Sequence, residues 1–183
     1  MSLIAGNLNV VQRTLDTAEI SWGVYAGAAA WIYGHRRPIN NVDIVVGSGS
    51  LQAISKLLQE GNRTVQYDGN RLLWRGINIY DYATIRQLGK VYPFSLDQTM
   101  MGHLRRLPLL GSRVMVLAPE DVIAHKLILS FSTDKGSLHL TDAEGIARRQ
   151  QIDVAYLRER LRLANAGAEI LARLPDVGIT SEA

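Results

Sequence analysis

The chain has 183 residues, 47% of them hydrophobic, and a mean hydropathy near zero, which is typical of a soluble globular protein with one core. Cysteine is absent, so disulfides and thiolate metal sites are excluded, and a cytoplasmic location is expected. We find neither a membrane-spanning apolar run nor a signal peptide pattern. Lys and Arg number 20 against 17 acidic residues, and the net charge of +3 is too small to indicate nucleic-acid binding by itself.

The N-terminal part predicts a helix, a short strand and a second helix. Residues 3–18 carry apolar side chains at helical spacing. Residues 20–25 are aromatic and β-rich, and form a strand or an extended lead-in to the next element. Residues 27–33 then predict a helix of small residues. Its opening pair, Gly27 and Ala28, either packs tightly on a sheet or faces a phosphate, and the pair alone does not decide between these.

A strand over 42–46 is apolar except for Asp43. Because burying an unpaired charge is costly, Asp43 either caps a neighbouring turn at the strand mouth or holds a metal. Side chains alternate along a strand, so Asn41 and Asp43 share one face. An amide oxygen and a carboxylate at one point suit a hard divalent cation, although more weakly than two carboxylates would.

The middle of the chain predicts an apolar helix followed by several strands. The helix begins after Ser50, and strands are expected over 64–67, 71–74 and 77–82, which suggests a crossover onto a mixed sheet. Asp81 lies near the end of the last of these strands. It is either an acidic site residue or a strand-end carboxylate that binds backbone amides of the next turn.

The C-terminal part is expected to be mainly helical. A strand over 113–117 precedes a helix from Pro119 to about 131, and helices are predicted over 141–150, 152–163 and 164–174. The arginines of this tail are interpreted as a solvated face, as are His125 and Lys126, with phosphate contact as the alternative. Residues after Pro175 are expected to fray. The following set is interpreted as a basic surface or a contact for a polyanion: His103, Arg105 and Arg106.

Residues 26–46, AGAAAWIYGHRRPINNVDIVV, resemble the signature of the nucleotidyltransferase superfamily. That signature is a Gly-Gly or Gly-Ser pair opening a helix, then Arg-x-Thr-x-Asp-hydrophobic-Asp on the next strand. Arg37 and Asp43 match it, whereas Ile39 replaces Thr and Asn41 replaces the first Asp. Further on, VLAPEDVIAHKLILSF followed by DKGSLHLTDAEGI resembles the small prokaryotic AbiEii-like group found in toxin–antitoxin systems. Lys126 and Asp142 fit the pattern of that group, whereas residues 135–140 depart from it.

The resemblance implies an α+β (α/β) fold, a nucleotidyltransferase-like mixed β-sheet flanked by helices with a helical C-terminal region. Residues 1–118 would form the core and 119–183 would pack on it as one structural unit. The implied reaction transfers a nucleoside monophosphate from a nucleoside triphosphate to a hydroxyl of a small molecule, a protein or a tRNA. The implied roles are as follows: catalytic Asp43 and Asp81; nucleotide-binding Gly27, Ala28, Arg37 and Lys126; Mg²⁺ or Mn²⁺ on Asn41, Asp43 and Asp81.

Two other functions are weighed against this transferase. Because Asn41 and Ile39 depart from the signature, the chain could be a degenerate member that binds a nucleotide or a partner without turnover. A toxin-system regulator that binds nucleic acid through the arginine-rich tail is a third hypothesis, and the modest net charge counts against it. A hydrolase with a serine or cysteine triad finds no support, since the sequence has no Cys and no Gly-x-Ser-x-Gly elbow.

Overall fold

A seven-stranded mixed sheet organises the chain, whose residues 3–61 and 64–180 are described by a computed structural model. The helices are α1 Leu3–Thr17, α2 Ala26–Ile32, α3 Leu51–Glu60, α4 Gln98–His103, α5 Pro119–Leu129, α6 Gly136–Ala147, α7 Val154–Leu163 and α8 Ala168–Leu171. The strands are β1 Trp22–Tyr25, β2 Val42–Val46, β3 Gln66–Tyr67, β4 Arg71–Trp74, β5 Ile77–Tyr80, β6 Ala83–Gln87, β7 Lys90–Phe94, β8 Arg105–Leu109 and β9 Ser112–Val116.

The strand order of the large sheet is β3-β4-β5-β2-β1-β9-β8, and β6 pairs with β7 in a separate hairpin. Strand β2 lies at the centre, antiparallel to β1 and parallel to β5. Its neighbouring residues Ile44 and Val45 are both fully buried. Because successive side chains point to opposite faces, both faces of the sheet are covered.

Two groups of helices provide that cover. Helix α1 packs against α3 and contacts β5 and β9, while α5 packs against α2, α6 and α7. Helix α5 is buried along almost its whole length because it lies against these three helices and the β6–β7 hairpin. The predicted α+β fold, a mixed sheet flanked by helices, is therefore confirmed.

Several boundaries differ from the sequence prediction. The stretch from 84 to 113 contains the β6–β7 hairpin and β8, which sequence patterns did not resolve, and the short helix α4. Helix α6 begins at Gly136 rather than near Thr141. The helix predicted over 164–174 is interrupted at Asn165, whose φ of 55° ends α7.

Residues after Pro175 were expected to fray, and this was wrong for part of them. A 3-10 turn spans Pro175–Val177, and Val177 is fully buried because α6 packs against the turn. Ile179 is buried as well, and the last residues of that prediction, 181–183, lie outside the described part of the chain. Within residues 3–61 and 64–180, no helix is long and apolar enough to cross a membrane.

Candidate functional site

The turn between β1 and α2 brings the chain close to a basic side chain. Ala26 adopts a left-handed conformation with φ of 56°, which is rare for a residue with a Cβ. A Cβ placed on Gly27 would lie 2.8 Å from Nη2 of Arg37. The guanidinium of Arg37 therefore lies directly against this turn, and glycine is what permits the approach.

Asp43 faces two amides rather than other carboxylates. The register of the sheet places it opposite Asn78 of β5, and Asn78 Nδ2 donates to Asp43 Oδ1 at 2.8 Å. Asn41 Nδ2 lies 3.0 Å from both carboxylate oxygens. An ionised carboxylate only accepts hydrogen bonds, so both amides present their N–H groups to it.

These amides explain how a half-buried acid is tolerated within an apolar strand. Burial raises the pKa of Asp43, and the hydrogen bonds from Asn78 and Asn41 oppose that rise. The two amides therefore stabilise the charged form of the Asp43 carboxylate, as a nearby cation would. The position of Asp43 is thus explained by hydrogen bonds from two amides, and not by either explanation that the sequence suggested, a turn cap or a metal ligand.

Asp81 is not brought together with Asp43. In the pairing of β5 with β2, Asn78 lies opposite Asp43, and Tyr80, the last residue of β5, lies opposite Val45. Asp81 therefore follows the end of β5, three residues beyond Asn78. Its carboxylate accepts a hydrogen bond from the backbone N–H of Gly49 at 3.0 Å. Asp81 thus binds a backbone amide, as in its alternative interpretation, but this amide lies in the turn after β2 and not in the next turn of the chain. Asn78 occupies the position beside Asp43.

Asp142 of α6 is the centre of a buried ionic cluster. Its side chain is fully buried, and it accepts hydrogen bonds from Nε and Nη2 of Arg37, both at 3.1 Å. Lys126 Nζ also donates to Asp142, and His35 Nε2 lies 3.6 Å from it. The charge of one carboxylate thus holds two cations from different parts of the fold in place.

The charged states of this cluster follow from its geometry. Burial opposes ionisation of Asp142, but the Arg37 hydrogen bond and the Lys126 charge outweigh it and lower the pKa of Asp142. Lys126 Nζ also lies 3.3 Å from Nδ1 of His139. Burial first and the Lys126 charge second lower the pKa of His139 to about 4, so His139 is neutral at pH 7.

The interpretation of His125 and Lys126 as a solvated helix face was wrong. Lys126 is 1% exposed and His125 is 9% exposed, because α5 is covered by α2, α6 and α7. His125 lies against the rings of Tyr25 and Phe94, with centroid distances of 5.4 and 4.7 Å. The two neighbouring side chains are therefore core groups with different surroundings.

A cleft of about 360 Å³ unites most of the predicted site residues. Its described lining is Ala26, Gly27, Ala28, Arg37, Pro38, Ile39, Asn40, Asn41, Asp43, Lys126, Lys135, Leu138 and His139. Of the predicted residues, Asp81 alone is missing from this lining. The lining contains three cationic side chains, Arg37, Lys126 and Lys135. The nearby carboxylates are Asp43 in the lining and Asp142 behind it, so the net charge of the cleft is +1.

The donor set does not fit the divalent metal site implied by the superfamily signature. Within the described residues, 3–61 and 64–180, no cluster of three His, Asp or Glu side chains could hold a metal ion. Asp43 is the only carboxylate among the described cleft-lining residues, and amide N–H groups face its oxygens. Mg²⁺ prefers carboxylate and water oxygens, so this arrangement offers it a single anionic ligand.

Comparisons with known proteins identify the fold. No protein-family model matches the chain, and no curated protein matches it in sequence. The crystal structure of ANT(2'')-Ia with adenylyl-2''-tobramycin superposes with a TM-score of 0.63 at 10% identity, covering 88% of this chain and 98% of that one. A Thermotoga maritima protein classed as a nucleotidyltransferase gives 0.52 at 16% identity, covering 72% and 88%. The chain therefore has the nucleotidyltransferase fold.

Sequence reasoning missed three members of the site. Asn78 alternates with two buried isoleucines in the stretch INI, which was the available signal that its side chain shares a face with Asp43. His35 is distant in sequence from Asp142, and the packing of α6 against α2 brings the two together, whereas His139 precedes Asp142 by about one turn on α6 itself. Arg160 was also misread as solvated, since it is 7% exposed and paired with Asp97 and Asp121.

Acidification is expected to destabilise the protein through His125. Burial, and then the Lys126 charge, lower its pKa from 6.5 to about 3, so its contribution to stability is complete above pH 6.5 and falls as the pH drops towards 3. Between about pH 7 and pH 5 the loss from this residue is about 2 kcal/mol. Urea unfolding at the two pH values measures it.

The variant His125→Phe should remove this part of the pH dependence while keeping the ring contacts with Tyr25 and Phe94. The control His103→Phe changes an exposed histidine that stacks on Tyr156, and should keep the dependence. An unchanged pH dependence in His125→Phe would show that His125 is not the group responsible.

Proposed function

We propose that this protein binds the phosphate chain of a nucleoside triphosphate in the Asp43 cleft and has little or no metal-dependent transferase activity. The observation that carries the proposal is that the side chains beside Asp43 are the amides of Asn41 and Asn78 and not carboxylates. The cleft therefore has a net positive charge, and a polyanion can bind without a metal ion to offset carboxylate repulsion.

Arg37 is held ready for an anion by Asp142, and the buried charge of Lys126 contributes to the positive potential behind it. A bidentate carboxylate contact fixes the guanidinium of Arg37, whose side chain is 32% exposed and reaches the cleft. A cation that is already ordered loses less entropy when it binds phosphate. Lys135 is exposed at the rim and adds a charge that has no such restraint.

Transfer of a nucleoside monophosphate to a hydroxyl with Mg²⁺ or Mn²⁺ is the second candidate. It is favoured by Asp43, which is retained at the second acidic position of the signature, and by the fold shared with ANT(2'')-Ia. Asp81 as a catalytic group, the acceptor, a cytoplasmic location and kinship with AbiEii-like toxin–antitoxin proteins stay predictions from the sequence. Because the donor set is poor, we assign no step to a metal.

Replacing Lys135 with alanine is expected to weaken nucleoside triphosphate binding about three- to tenfold, because one rim cation near several phosphate charges is removed. The measurement is calorimetric titration with each nucleoside triphosphate at low salt, repeated at high salt, where binding should weaken.

Lys56→Ala is the matched control, since Lys56 is an exposed lysine of α3 that does not line the cleft. It should bind like the unaltered protein. Equal affinities for the two variants, or no binding of any nucleoside triphosphate, would contradict the proposal.

A further inference from the structure

A second pocket lies between the β6–β7 hairpin and helices α4, α5 and α7, and it shares no described lining residue with the Asp43 cleft. Its volume is about 140 Å³. Much of its wall is apolar and is formed by Ile85, Phe94, Met100, Ala124, Ile128 and Leu163. An apolar cavity of about 150 Å³ accommodates benzene, so this pocket has room for about one ring.

One end of the pocket is acidic. Arg160 lies between two carboxylates, with Nη1 2.8 Å from Asp97 and Nε 2.8 Å from Asp121. The hydroxyl of Tyr156 also donates to Asp121. Two carboxylates share one guanidinium, so this end keeps a net negative charge. The side chain of Asp97 is 41% exposed, which leaves it accessible to a ligand.

His125 adds a second and independent feature. It lines the pocket and is 9% exposed, and its Nδ1 has no hydrogen-bond partner among the described residues. Buried polar atoms normally have a partner, and leaving one unpaired is costly. A polar atom of a bound molecule would satisfy it.

We propose that this pocket binds a small organic cation, a primary amine carried on one ring, with the ring on the apolar wall and the ammonium group towards Asp97 and Asp121. A carboxylate ligand would be repelled by the acidic end. A plain hydrocarbon would fill the wall but leave the net charge uncompensated. The proposal is independent of nucleotide binding in the Asp43 cleft.

Benzylamine is the test probe, and benzyl alcohol and phenylacetate are its neutral and anionic counterparts. Titrations followed by NMR of the intact protein should show benzylamine binding in the millimolar range, about tenfold or more tighter than benzyl alcohol, with phenylacetate weakest. Comparable binding of the amine and the alcohol, or no binding of the amine, would overturn the proposal.

Two variants locate the site. Asp97→Asn keeps the side-chain oxygen that caps α4 through Met100 N–H, and should weaken benzylamine about fivefold or more without affecting benzyl alcohol. Asp176→Asn, at an exposed ion pair with Arg173, should leave both unchanged. Ala124→Leu should fill the pocket and remove binding of both probes. If Asp97→Asn binds benzylamine normally, the acidic end is not the recognition site, whether or not Ala124→Leu folds.

Discussion

Replacing Asp142 with alanine is expected to destabilise the protein by about 3–5 kcal/mol, because removing one partner of a buried ionic cluster leaves the others uncompensated. Lys126 is 1% exposed and would lose its carboxylate partner, while Arg37 would lose both of its hydrogen bonds. Urea unfolding at neutral pH measures the loss.

Two further variants test whether the loss of stability is specific to the buried cluster or follows from removing any acidic residue. Asp176→Ala breaks an exposed ion pair with Arg173, and is expected to cost less than about 1 kcal/mol. The double variant Lys126→Met with Asp142→Leu removes the buried pair together, and should recover much of the stability, since Arg37 can turn to solvent. A loss below about 1 kcal/mol in Asp142→Ala would show that the cluster does not hold the fold together.

The double variant Asn41→Asp with Asn78→Asp is expected to create a divalent metal site. Three carboxylates would then face one point, and each pair about 4 Å apart repels by about 4 kcal/mol at an effective dielectric of 20. The variant should therefore unfold at a lower temperature without metal and regain stability with Mn²⁺ or Mg²⁺. Its affinity for Mn²⁺ should exceed that of the unaltered protein about a hundredfold.

Thermal unfolding with and without Mn²⁺ measures this gain. The control variant Asp43→Asn on the same background removes the central carboxylate, and should abolish the metal-dependent stabilisation. An unaltered protein that already gains as much stability from Mn²⁺ as the double variant would show that Asn41 and Asn78 do not limit metal binding.

The regular elements were predictable because their signals are local. Strand β2 is an apolar run after a turn-forming stretch, and α5 begins with Pro, Glu and Asp in its first turn. The hairpin β6–β7 was missed because its strands contain exposed polar residues and Pro93, and lack a clear alternation of burial. The hairpin also contacts α5, which is distant in sequence, so composition does not report where it packs.

The candidate site was predictable only where one strand or one turn carries it. Asn41 and Asp43 share a face by alternation, and Gly27 and Arg37 belong to a signature of known order. The choice between Asn78 and Asp81 depends on the register of β5 against β2, and a shift of a few residues exchanges the two. The Asp142 cluster joins residues about a hundred positions apart, so only the packed fold reveals it.

The central claim, that the cleft binds a nucleoside triphosphate without a metal, is tested most directly by calorimetry on Asp43→Asn with EDTA and with Mg²⁺. This variant removes a negative charge and keeps the size of the side chain. Metal-free binding predicts that the unaltered protein binds equally well with EDTA, and that Asp43→Asn binds as tightly or more tightly. Binding that requires Mg²⁺ and disappears in Asp43→Asn would contradict the claim and favour the metal-dependent transferase.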